Sequence, residues 1–86
     1  MKIFKAIIKI TLRKGILDVQ GKAVENALHS IEFDMITNVR IGKYVELNIE
    51  AENSDTAAGI VDDSCKKLIA NPIIEDFEIS IIEIPN

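Results

Sequence analysis

The stretch "MITNVRIGKYVELNIEA", residues 35–51, decides the fold. Val39 and Ile41 alternate with polar neighbours before Gly42-Lys43. Val45, Leu47, Ile49 and Ala51 alternate after it, and Glu46, Asn48 and Glu50 face water between them. Two alternating runs around a tight Gly-containing connection predict a β-hairpin. Alternation of this kind gives one buried and one wet face, as in an antiparallel sheet.

The rest of the chain supplies the partners of that hairpin. In "KIFKAIIKITLR", residues 2–13, Phe4, Ala6, Ile8, Ile10 and Leu12 share one face, while Lys5, Lys9 and Thr11 point the other way with Ile7. This predicts a half-buried strand, which Lys14-Gly15 ends. Asp18 stands before "VQGKAVENALHSIEF", residues 19–33, where its carboxylate can accept from the free N–H groups of a first helical turn. Ala23/Val24, Ala27/Leu28 and Ile31 fall at helical spacing and form one apolar stripe. Gly21 in that first turn costs about 1 kcal/mol relative to Ala, which implies a close backbone approach.

A second helix is predicted over "AENSDTAAGIVDDSCKKLIA", residues 51–70, capped by Ser54 or Asp55. Its inner face takes Ala57, Ile60/Val61, Ser64/Cys65 and Leu68, and Lys66 and Lys67 suit its C-terminal end. Asn71-Pro72 stops it, because proline disfavours helical geometry in the preceding residue. The last strand presents Phe77, Ile79 and Ile81 on one face and Ile82 and Ile84 on the other.

The resulting order is β-α-β-β-α-β. It predicts a two-layer α+β domain of ferredoxin-like order, spanning residues 1–86, with two helices on one face of an antiparallel sheet. A strand that is apolar on both faces is usually covered on both. The helices cover one face only, so the fold is expected to dimerise through the sheet.

Composition narrows the function. A chain of 86 residues makes one domain, and a domain of this size buries only about 60–65% of its unfolded surface. The Ile-rich apolar content exceeds what one thin core needs, which favours an oligomer. A net charge of −4 argues against nucleic acid, whose phosphates require a basic face. Cys65 is the single cysteine, so no intramolecular disulfide forms. The opening "MKIFKAIIKI" is too short and too interrupted for a signal segment. No run approaches the ~18 apolar residues of a membrane span. The cytoplasm is the expected location.

Three constellations invite a chemical reading. Glu75 and Asp76 with Asn71 suggest a metal site or an acid–base pair, but a hard cation needs several convergent oxygens. A corner with the acids on its solvated side fits better. His29 stands alone beside the helical stripe, and with Ser30, Asp34 and Cys65 it makes no triad. Cys65 on an inner stripe behaves as a small hydrophobe. The third stretch is "RKGILDVQGK", residues 13–22. It brings Lys14, Gly15, Gln20 and Gly21 to a helix N-terminus, a possible anion site and hence a small-anion-binding regulatory module. Val19-Gln20-Gly21 is similar to the same tripeptide in acylphosphatases, a hydrolase alternative. That family's phosphate-binding arginine is missing here, and Lys22 offers no planar fork.

Four segments together resemble one family: "LRKGILDVQGKAVENALHSI" (12–31), "NVRIGKYVEL" (38–47), the acidic second helix, and "KKLIANPIIEDFEI" (66–79). They resemble the PurS-type small subunit of phosphoribosylformylglycinamidine synthase. The Gly-x-x-Asp-x-Gln-Gly, Val-Arg-x-Gly-Lys and Leu-x-Ala-Asn-Pro blocks occur in that family's order and spacing. Val19 departs from the pattern where family members often have proline. The resemblance implies a part in purine biosynthesis, in a complex that converts formylglycinamide ribonucleotide with ATP, Mg and glutamine. It implies a glutaminase subunit that releases ammonia and a large synthetase subunit that receives it. The small subunit would carry no catalytic, metal-binding or cofactor-binding residue of its own. It would form a homodimer or higher homo-oligomer and bridge the other two. Arg40 and Tyr44, types enriched at interface anchors, and Ile79, Ile82 and Ile84 are the expected contact residues, the isoleucines facing a second copy.

Overall fold

Eleven alternating residues make β1 (Lys2–Leu12) the centre of a three-stranded antiparallel sheet of order β2-β1-β3. The computed structural model describes residues 1–85. Asn86, the last residue of the expected domain, lies outside the described residues. After β1 come α1 (Val19–Ser30), β2 (Lys43–Ala51), α2 (Ser54–Ser64) and β3 (Glu75–Ile84). Ile8 stands opposite Val45 on one side and Ile79 on the other; Ala6 likewise faces Leu47 and Ile81. The period of two therefore puts Phe4, Ala6, Ile8 and Ile10 on one face with Val45, Leu47, Ile49, Phe77, Ile79 and Ile81.

α2 covers that face. Ala57, Val61 and Cys65, four residues apart, are buried against the sheet, and Ile49 and Ile81 join the two ends of the core. Phe4, Ile8, Ile10 and Val61 are each at most 2% exposed, and burying such a side chain contributes about 1.5–3 kcal/mol.

The cap of α2 is Asn53, whose Oδ1 accepts from the Thr56 N–H at 2.8 Å. The expected caps, Ser54 and Asp55, are the first helical residues instead. Beyond Ser64 the helix widens into one π-helical turn, Cys65–Ile69, closed by the Ala70 N–H on the Cys65 carbonyl at 2.9 Å. The wide turn shifts its own residues off the α-helical stripe. Leu68, expected inside, is 87% exposed for that reason.

Two expectations fail together. Among the described residues the sheet has three strands rather than four, because residues 36–42 join no ladder. The hairpin at Gly42-Lys43 is open, and β2 begins only at Lys43. Nor do two helices share one face: α2 packs on all three strands, while α1 packs substantially on none. The physical cause is the same for both. The N–H groups of Val39 and Ile41 are taken by carboxylates of α1 and its cap, Glu25 and Asp18, instead of by a neighbouring strand. Helix α1 and the strap of residues 36–42 are bound to each other, and together they leave the sheet as an arm.

Candidate functional site

The arm is rooted at Asp18. Its Oδ1 accepts from the Gly21 N–H at 2.8 Å, which caps α1, and its Oδ2 accepts from the Ile41 N–H at 2.7 Å. These two backbone donors, Gly21 first, hold the Asp18 carboxyl below its ordinary value. Further along, Glu25 Oε1 accepts from the Val39 N–H at 3.0 Å, and the His29 ring lies 2.7 Å from the Ile36 carbonyl through Nε2. Positions 21, 25 and 29 recur every four residues, so one side of α1 is stitched to the strap. His29 is thus a boundary side chain, as its sequence context suggests.

Gly21 shows why the first turn tolerates a poor helix former. A Cβ there would stand 2.5 Å from both Asp18 Oδ2 and the Val39 carbonyl oxygen. Gly42 meets the same constraint, since its Cβ would strike the Ile10 carbonyl oxygen. The Arg40 guanidinium donates to the Leu12 carbonyl and so ties the strap to the end of β1. Arg40 is therefore spent partly inside the chain, whereas Tyr44 is 60% exposed on the open face of the sheet, opposite Lys9.

The Asn71–Asp76 segment is a corner. Asn71 Oδ1 accepts from the Ile73 N–H at 3.1 Å, and the Asn71 N–H donates to Glu75 Oε1 at 2.7 Å. Arg13 clamps it through its own N–H on the Ile74 carbonyl at 2.9 Å and its guanidinium on the Pro72 carbonyl. Glu75 is not on the solvated side as expected: its side chain is 11% exposed and lies 3.4 Å from Lys43 Nζ. Asp76 is exposed and lies 3.6 Å from Arg13. Among the described residues no group of three His, Cys, Asp or Glu side chains is placed to hold a metal ion.

A cleft of about 360 Å³ lies between the root of the arm and the sheet end, lined by Ile10, Leu12, Leu17, Val19, Gly42 and Glu75 among others. Asp18, Lys43 and Glu75 at its edge already have partners in the chain. The anion site expected at Lys14, Gly15, Gln20 and Gly21 is not assembled. The Gly21 N–H is consumed, and Asp18 places a negative charge where an anion would sit. Lys14 and Gly15 lie on an exposed turn, with Gly15 at φ 89°. The Cys65 thiol is fully buried, and that burial pushes its pKa up.

Of the expected contact isoleucines, the structure separates one from two. Ile79 faces α2 and packs on the core. Ile82 and Ile84 lie on the opposite, open face, with Ile3 paired to Ile84, Lys5 to Ile82 and Ile7 to Ser80. Ile82 is 51% exposed.

The PurS family model, described as phosphoribosylformylglycinamidine (FGAM) synthase, matches residues 5–83. The phosphoribosylformylglycinamidine synthase subunit PurS of Bacillus subtilis is 41% identical over 81 residues, 94% of this chain and 95% of that protein. This chain belongs to the PurS family. The crystal structure of Methanocaldococcus jannaschii PurS, one of the subunits of formylglycinamide ribonucleotide amidotransferase, superposes with a TM-score of 0.86. The two are 35% identical, over 95% of this chain and 99% of that one. A chain in the structure of PurLQS from Thermotoga maritima gives a TM-score of 0.87 at 32% identity, over 98% of this chain and all of that one. The three PurS blocks of the sequence converge at one end of the sheet. Asp18 and Gly21 meet Val39 and Ile41, Arg40 and Gly42 meet β1, and Asn71 meets Glu75 beside Lys43. In this PurS-family chain those blocks build a joint.

Proposed function

We propose that this chain is the small, non-catalytic subunit of the phosphoribosylformylglycinamidine synthase complex in purine biosynthesis. It dimerises and bridges a glutaminase subunit and a large ATP-dependent synthetase subunit, so that ammonia passes between them away from bulk water. ATP, Mg and glutamine are used by the complex, and this chain holds none of them. It works in the cytoplasm; no helix among the described residues is long and apolar enough to cross a membrane.

The observation that carries this reading is the likeness, end to end, to a chain of PurLQS. The geometry is compatible with it: the polar groups at the joint are spent on holding backbone. The open face of the sheet supplies a contact surface, where Ile3, Ile7, Ile82 and Ile84 are interleaved with Lys5, Lys9, Glu46 and Glu78. Non-obligate interfaces are about half apolar by area, so apolar side chains interleaved with charged ones suit a contact between separately folded subunits. We assign that face to the larger subunits. Affinity capture of the tagged chain from its native extract tests the reading. Recovery of a glutaminase and a large ATP-binding synthetase with glutamine-dependent synthase activity is expected; recovery of neither overturns it.

A further inference from the structure

Apart from the N-terminal Met1, Leu68 and Ile73 are the most exposed large apolar side chains among the described residues, Ile73 at 82%. Both stand on backbone that is already fixed. The π-helical turn that carries Leu68 outward is closed between Cys65 and Ala70, and both of those residues are anchored in the core. Ile73 sits on the corner, where the Ile74 and Glu75 N–H groups both donate to the Asn71 carbonyl, at 3.1 and 2.7 Å, and Asn71 Oδ1 holds the Ile73 N–H. Arg13 clamps the same loop from the end of β1. The side chain of Ile73 takes no part in these bonds, yet the corner presents it to water. An apolar side chain on pre-ordered backbone loses little conformational freedom when a partner covers it, and π-helical turns are frequent at functional sites.

The surround of these two residues has one sign of spare charge. Of the ten Lys and Arg side chains, all but Lys2, Lys5 and Lys9 stand on segments that converge at this end of the sheet. Arg13, Lys43, Lys66 and Lys67 pair with acids there. Lys14 and Lys22 have no ion-pair partner among the described residues. The bond from the Arg13 N–H to the Ile74 carbonyl brings the Lys14 turn beside the corner. Acids that meet neither a cation nor a backbone N–H lie away from it, such as Glu50, Glu52 and Asp55 at the opposite end of the sheet and Glu32 and Asp34 just past α1. A chain of net charge −4 thus has a cationic corner.

We propose that this corner, with Leu68 and Ile73 as anchors and Lys14 at its rim, docks a larger subunit of the complex through an acidic surface with apolar side chains at its centre. Opposite charge across such a contact steers encounter and excludes wrong partners. A second copy of this chain does not fit. Its acidic end is a different patch from its basic end, so copies joined that way would run head to tail in an open chain instead of closing. The proposal rests on the function given above and deepens it. The corner lies at the end of the sheet, apart from the open face around Ile82, and a bridge between two proteins requires two such surfaces.

The test uses the full chain and the larger subunits captured with it. Leu68 and Lys14 are exposed, so their replacement is compatible with the fold. Leu68→Asp should raise the dissociation constant for one larger subunit at least about tenfold, the effect of losing an interface anchor. Lys14→Glu should weaken binding of the same subunit about threefold or more at low salt and little at high salt, while Lys14→Arg behaves as the unaltered chain. Sedimentation should show the homo-oligomer of the isolated chain unchanged in all three variants. Full affinity for both larger subunits in Leu68→Asp and Lys14→Glu overturns the proposal and leaves the function standing. Loss of the homo-oligomer also overturns it, because the corner would then belong to a second copy. An unaltered chain that binds neither larger subunit overturns the proposed function, and this surface falls with it.

Discussion

The carboxylate of Asp18 accepts the backbone N–H of Ile41 at 2.7 Å, although 23 residues separate them. One side chain thereby caps α1 and fixes the strap that returns to β2. Its pKa is lowered by the N–H groups of Gly21 and Ile41 in that order, so the stabilisation it provides is full above the ordinary Asp value of ~3.9. It is lost as pH falls through the lower folded value. Hydrogen exchange at Ile41 should accelerate selectively below that range. Asp18→Asn should flatten the acid limb of the stability profile, and an unchanged limb would count against the assignment.

Glycines offer a contrast in sign. A Cβ at Gly21 meets backbone oxygen and the cap carboxylate, while a Cβ at Gly59 meets nothing within 4 Å on the solvent side of α2. Gly59→Ala should stabilise by about 0.5–1 kcal/mol. Gly21→Ala should destabilise by about 1–3 kcal/mol, read from urea midpoints with the slope held constant. Glu32, at φ 75° just past α1, is the reverse case: Glu32→Gly should relieve about 1 kcal/mol of left-handed strain.

These contacts show what the sequence makes legible. Strands β1 and β3 follow from alternation along most of their length, and the close approach at Gly21 follows from a poor helix former at a first turn. The open hairpin does not. Val39 and Ile41 carry a strand pattern, and nothing local reveals that Glu25 and Asp18 will claim their N–H groups. The same holds for α1, whose apolar stripe predicts a neighbour without saying which chain provides it. Leu68 leaves its expected stripe because the π-helical turn, bonded i→i+5, breaks the 3.6-residue period that would place it inside. The PurS blocks are visible as spacing, but their meeting at one joint needs the fold.

The open face of the sheet can be tested by a single substitution. Ile82 is half exposed on the open face, so Ile82→Asp should change the stability of the isolated chain by less than about 0.5 kcal/mol. It should leave the dimer intact and lower recovery of the synthetase at least about tenfold, the effect of losing an apolar contact. If Ile82→Asp instead yields a monomer, the open face is the dimer contact and its assignment to the larger subunits is wrong.

The helix-side face makes the opposite demand. Ile8 is fully buried between Val45 and Ile79 beneath α2, while its neighbour Ile7 points to the open face and is only half-buried. Ile8→Ala should cost about 2–5 kcal/mol, since α2 and the three strands cannot all close on the cavity. Cys65, fully buried in the same core with its pKa raised by burial, gives a direct readout. Its thiol should stay unreactive toward a disulfide reagent at pH 8 in the native chain and react in Ile8→Ala at a rate set by opening of the core. Equal thiol reactivity in the two proteins would mean that α2 opens without loss of the sheet, and that Cys65 reports local fraying instead of the core that Ile8 anchors.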